Sequence, residues 1–167
     1  MTAATTVVRR PRELILTRRF TAARELVFEA LSKPEHLRRW WGPPGFPVVD
    51  CTVDFRPGGV WHYRLLGADG REFWARSVYQ QIEPPEKIVY RERSSDEHGA
   101  ITDERPAALV TLTLERTGEG TLFTAVIRYT SALDRDRAIA YGVERGFAAA
   151  LDELEALLRA SPSTAPH

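Results

Sequence analysis

The stretch from Asp134 to Ala160, DRDRAIAYGVERGFAAALDELEALLRA, constrains the fold of this chain more than any other. It holds no Pro, and Ile139, Val143, Phe147, Leu151, Leu154 and Leu158 recur at the spacing of one helical stripe. The pattern predicts a single long helix whose apolar stripe must be buried against another layer. Beside the stripe runs a row of small residues, Ala138, Gly142, Gly146 and Ala149. A glycine inside a helix costs about 1 kcal/mol relative to alanine. Two of them four residues apart leave a smooth groove where large side chains would otherwise stand. Either the groove packs closely on a sheet, or it makes room for an occupant that is not protein.

The rest of the chain reads mostly as sheet. Glu13 to Phe20 alternates as a first strand, and Thr21 offers an N-cap to a short helix carrying Ala23, Val27, Ala30 and Leu31. Pro34 suits the first turn of a second short helix, which Gly42-Pro43-Pro44-Gly45 brings to a stop. Six further strands are predicted: Val48 to Phe55, Val60 to Leu66, Arg71 to Ile82, Lys87 to Ser94, Ala107 to Arg116 and Thr121 to Thr130. The third of these is long, and Tyr79 and Ile82 fall out of phase, which predicts a bulge near Gln80-Gln81. The fold class expected is α+β: a curved antiparallel sheet of about seven strands around a long C-terminal helix, with two short helices after strand one. Residues 1–12 read as a disordered or extended tail, 13–160 as one domain and 161–167 as a C-terminal tail.

Composition excludes several function classes. Lys plus Arg and Asp plus Glu both number 23, so the formal charge is zero. That argues against a nucleic-acid partner, which calls for a basic excess, and against docking on anionic membrane. No apolar run approaches the roughly 20 residues of a membrane span. The lone Cys51 cannot form an internal disulfide, and the first residues lack the apolar core of a signal peptide. The expected address is the cytoplasm. His36, His62, His98 and His167 lie far apart with no partner at ligand spacing, so no metal is expected. No phosphate-binding or dinucleotide-binding glycine motif occurs, and no cofactor is expected.

Alternation sorts the strand residues by face. With the aromatic-rich sets turned inward and the Arg-bearing sets outward, the inner wall holds Trp61, Tyr63, Phe73, Ser77, Tyr79, Tyr90 and Glu92. Apolar area with a few hydroxyls describes a small-molecule pocket, and it equally describes an ordinary core whose tyrosines reach partners. Gly142, Gly146 and Phe147 face this wall from the helix. Trp40 and Trp41 end the second short helix; one anchors it, and the other lines or caps an entrance. The loops from Gly42 to Phe46 and from Asp96 to Pro106 are candidate lids. Glu92, if buried beside Tyr63 or Tyr90, has its pKa raised and becomes a candidate general acid or base.

Several sequence words resemble one family. They are Leu14 to Leu31, then Pro34 to Pro43 ending in Trp-Trp-Gly-Pro, then Pro57 to Tyr63, where Pro-Gly-Gly precedes an aromatic strand. Asp69-Gly70, Pro84-Pro85 with the strand to Tyr90, and Gly146-Phe147 with Leu151, Leu154 and Leu158 complete the series. In this order they resemble the branch of the START and birch-pollen-allergen superfamily (SRPBCC) related to the activator of the heat-shock-protein-90 ATPase. The match runs from about Glu13 to Arg159. Two positions depart from the family pattern: Ser77 stands where Gly is common, and Phe147 where Trp is usual. The resemblance implies a helix-grip fold with a cavity between sheet and helix. Relatives include hydrophobic-ligand carriers, polyketide cyclases and dehydratases, and co-chaperones. The expected role is binding a small hydrophobic or amphipathic molecule. A cyclase-like or dehydratase-like enzyme and a co-chaperone-type module are the alternatives. The eukaryotic activator carries a further domain before this one, whereas only a dozen residues precede the first strand here. A homodimer stays open, and no protein partner is identified.

Overall fold

In the computed structural model, described for residues 4–160, eight strands form where about seven were expected. The additional one lies in the segment read as a tail: β1, Thr6–Arg10, pairs antiparallel with β2, Glu13–Phe20, across Pro11-Arg12. The C-terminal tail, 161–167, lies outside the described residues. Two helices follow β2: α1, Arg24–Ser32, and α2, Pro34–Trp40. Ala23, not Thr21, is the N-cap of α1, and it makes no side-chain cap bond.

The chain then returns to sheet with β3 (Val48–Val53), β4 (Val60–Leu66), β5 (Glu72–Glu83), β6 (Lys87–Ser95), β7 (Ala108–Thr117) and β8 (Gly120–Tyr129). All neighbours are antiparallel, in the order β1-β2-β8-β7-β6-β5-β4-β3. The register between β5 and β6 shifts between Tyr79 and Gln81, where the phase change in the sequence placed a bulge. Such a bulge bends its strand and increases the local twist, which helps an open sheet to curl.

The expected single C-terminal helix is two. The first, α3 (Ala132–Ala140), is capped by Ser131, whose hydroxyl accepts from the Asp134 amide. It ends at Gly142, which has φ +89° and donates to the Ile139 carbonyl. Glycine enters this left-handed conformation without a Cβ penalty and so terminates helices. The second, α4 (Val143–Ala160), restarts at once. Gly142 and Gly146 look alike in the sequence, yet only Gly142 breaks the helix. Leu151 and Leu154 of α4 are fully buried, in one apolar core with Leu14 and Leu16 of β2 and Phe123 and Ala125 of β8. Among the described residues, no helix is long and apolar enough to cross a membrane.

Candidate functional site

A cavity of about 530 Å³ lies between the concave face of the sheet and the α3–α4 break. Towards its C-terminal half, helix α4 packs on β2, where Arg18 bonds to Asp152 and Glu155. Towards the break, its row of small residues keeps it off the sheet. Ala138, Gly142, Gly146 and Ala150 line the cavity at four-residue intervals. Ala150, not Ala149, completes the row.

The sheet provides the opposite wall. Tyr63 and Leu65 of β4, Phe73 of β5, Tyr90 and Glu92 of β6, Val110 of β7, and Ile127 and Tyr129 of β8 reach the cavity. Trp41, Pro43 and Phe46 close one side from the loop after α2; Arg105 and Pro106 close another from the loop before β7. The second loop is tied to the helix break, because the Tyr141 hydroxyl donates to the Glu104 carbonyl.

Eight of the twelve sequence-designated residues meet at this cavity: Trp41, Tyr63, Phe73, Tyr90, Glu92, Gly142, Gly146 and Phe147. Trp40, Trp61, Ser77 and Tyr79 do not, and packing explains each. Trp40 turns towards α1, and its indole N–H donates to the Ala30 carbonyl at 2.9 Å. Trp61 is covered by Trp41, Tyr63 and Tyr90, with ring centroids 4.7, 5.1 and 5.5 Å away. Ser77 lies opposite Trp61 in the β4–β5 register and is fully buried. Tyr79 sits behind Phe55 and Tyr90. Trp61, Ser77 and Tyr79 form the floor beneath the cavity. Alternation sorted these three strand residues to the correct face, but a face is two layers deep here.

Sequence reasoning passed over Tyr129, Arg105 and Tyr141. The alternation Phe123, Ala125, Ile127, Tyr129 on β8 carried the signal for the first. Arg105 and Tyr141 sit in a loop and at a helix break, where periodicity carries none.

The polar chemistry centres on Glu92. Its Oε2 accepts from the Tyr63 hydroxyl at 2.8 Å. Burial pushes the Glu92 pKa up; the Tyr63 bond and the nearby Arg105 pull the other way. Burial, reinforced by Glu92, pushes the Tyr63 and Tyr90 hydroxyls well above their ordinary range. Burial raises Tyr129 too, again with Glu92 adding to the effect. The hydroxyls of Tyr90 and Tyr129 line the cavity without a protein hydrogen-bond partner among the described residues. A carboxyl beside three phenols, one of them bonded to it, can hold or pass a proton to a polar group placed in the cavity.

Glu92 also makes a pH prediction. Its folded pKa lies above its unfolded value, so between those two values the folded state binds more protons. Its contribution to stability therefore falls as pH rises through that window, so above the unfolded value a buried Glu92 costs stability. Glu92→Gln keeps an acceptor for Tyr63 and removes the charge. The variant should melt higher than the parent at pH 7, and the difference should vanish below about pH 4, where the unfolded carboxyl is also protonated. Each 1 kcal/mol released is worth roughly 2–4 °C in a chain of this size. Melting curves from pH 3 to 8 check this; coincident curves at pH 7 would place Glu92 in water.

Among the described residues, no group of three or more His, Cys, Asp or Glu side chains is arranged to hold a metal ion.

Solved structures share this architecture. A protein from Arthrobacter aurescens is 26% identical, with a TM-score of 0.87 and 97% of each chain covered. One from Mycobacterium smegmatis is 26% identical, with a TM-score of 0.86, covering 95% of this chain and 99% of that one. One from Staphylococcus epidermidis is 28% identical, with a TM-score of 0.78, covering 97% and 98%. No curated protein sequence matches the chain. Residues 21–159 match the family described as Activator of Hsp90 ATPase homolog 1-like protein, nearly the whole span from α1 to the end of α4. The family pattern thus covers both walls of the cavity, and the chain belongs to the Activator of Hsp90 ATPase homolog 1-like family.

Proposed function

We propose that this protein binds a small hydrophobic or amphipathic molecule in the cavity between the sheet and its C-terminal helices. The observation that carries the reading is a partly open space of about 530 Å³ lined by Trp41, Tyr63, Phe73 and Phe147, where the hydroxyls of Tyr90 and Tyr129 have no protein hydrogen bond among the described residues. That volume falls within the roughly 300–1,000 Å³ of small-molecule sites, and a few convergent polar groups on an apolar wall are their usual chemistry. A packed core would have filled the space.

The family also supports a co-chaperone-like module, and the Tyr63–Glu92 pair supports acid–base chemistry on the bound molecule. Both use the same cavity or the surface around it, so occupancy is the first question. Native mass spectrometry of the freshly purified protein, followed by denaturation, should give a non-covalent adduct that leaves on unfolding.

Gly146→Leu locates the site. A Cβ at Gly146 meets nothing nearer than the Pro43 ring carbon at 3.8 Å, so the leucine has room to grow into the cavity. Its backbone lies outside the left-handed region, and replacing a helical glycine gains about 0.8–1 kcal/mol of helix propensity. The variant should therefore melt no lower than the parent and lose the adduct. A folded Gly146→Leu protein that retains the adduct would move the site elsewhere.

A further inference from the structure

Five charged side chains line the cavity, and three are already neutralised at its rim. Arg71 pairs with Asp69 at 2.7 Å, Glu72 with Arg64 at 3.1 Å, and Arg93 with Asp103 at 3.1 Å. Glu92 accepts a hydrogen bond from the Tyr63 hydroxyl. Arg105 alone has no ion pair and no side-chain hydrogen bond among the described residues.

Arg105 is nonetheless held in place. Its backbone N–H donates to the Ser94 hydroxyl at 2.9 Å, and Ser94 is buried. The preceding carbonyl, of Glu104, accepts from Tyr141. Its guanidinium carbon lies 4.0 Å from the Phe73 ring centroid and 5.2 Å from that of Tyr141. Contact with two rings holds the guanidinium at the cavity wall without using its N–H donors. Arg105 is near enough to Glu92 to pull its pKa down, yet no hydrogen bond joins them, so the N–H donors of a half-buried guanidinium on the cavity wall are left without partners. A planar oxyanion satisfies them with two parallel hydrogen bonds, which is the geometry arginine favours.

We propose that the cavity takes an amphipathic anion, with its carboxylate on Arg105 and its apolar body against Trp41 and Phe147. This rests on the cavity being the binding site. Glu92, the remaining carboxyl in the cavity, repels an anionic ligand less than a solvated carboxylate would, because burial favours its neutral form. The hydroxyls of Tyr90 and Tyr129 offer donors to a second oxygen on the ligand.

The test is calorimetric titration of the full chain with decanoate, decanol and decylammonium, which share a tail and differ in head group. Decanoate should bind about tenfold or more tighter than decanol, the worth of a charge-assisted hydrogen bond. Arg105→Gln should remove that preference while decanol still binds, and Arg105→Lys should restore part of it. Equal affinity for decanoate and decanol, a preference that survives Arg105→Gln, or tightest binding of decylammonium would each overturn the assignment of Arg105 and leave the cavity as the site. If none of the three binds, both this inference and the cavity reading fall.

Discussion

Trp40→Ala should cost the fold about 3–5 kcal/mol, the range for truncating a buried tryptophan, and lower the melting temperature by roughly 10 °C. Trp41→Ala should cost less and act on the cavity instead. The two indoles are adjacent in sequence and pack edge to face at 5.3 Å, yet they do different work. Trp40 is 1% exposed, and its N–H is the buried partner of the Ala30 carbonyl. Its loss leaves a void between α1 and α2 and an acceptor with no donor. Trp41 is half-buried and already borders open space, with Trp61, Tyr63 and Phe147 around it. Its removal widens that space rather than creating a new hole, and exposes the Trp61 floor to whatever enters. Thermal unfolding separates the first effect, and adduct retention in native mass spectra the second. Equal destabilisation by both variants, or normal uptake by Trp41→Ala, would contradict this division of labour.

The sheet was legible because its inner face is regular. Leu14 and Leu16 on β2, Trp61 and Tyr63 on β4, and Phe123, Ala125 and Ile127 on β8 all alternate, and alternation is a direct projection of strand geometry onto sequence. The bulge near Gln81 was legible for the same reason, as a change of phase. Three features were not. Strand β1 is exposed on both faces, so no alternation marks it, and pairing with β2 makes it a strand. The break at Gly142 is a backbone conformation, and the residue that permits it is indistinguishable in sequence from Gly146. The depth of the cavity depends on which inward side chains lie beneath others, so Trp61 and Tyr79 could be assigned a face but not a layer. Glu92 lies between these cases. Its strand parity placed it inside, and the Tyr63 hydroxyl two strands away decided its company.

Arg18 breaks the alternation rule in an informative way, and its removal should be nearly as damaging as that of Trp40. The inward row of β2 is Leu14, Leu16, Arg18, Phe20, and Arg18 is only 2% exposed. An arginine in that row has to meet carboxylates on the helix above. It donates to Glu155 at 2.6 Å, to Asp152 one turn earlier, and to the hydroxyl of Thr5. Glu155 is itself buried, whereas Asp152 is largely exposed, so the Glu155 contact carries most of the energy. Arg159 approaches Glu155 at 3.0 Å from the solvent side and compensates only in part. Removing one partner of a buried pair typically costs about 3–5 kcal/mol, because the other charge stays behind without its counterion. Arg18→Met should fall in that range, with a melting temperature lower by about 10 °C. The double variant Arg18→Met/Glu155→Leu removes the stranded charge as well. It should regain most of the loss, since apolar residues of similar volume often replace a buried pair at little cost. Denaturant unfolding of the parent, the two single variants and the double variant closes the cycle. A double variant that is as unstable as the sum of its parts would mean that Arg18 and Glu155 act independently, and that α4 is held to β2 by its leucines alone.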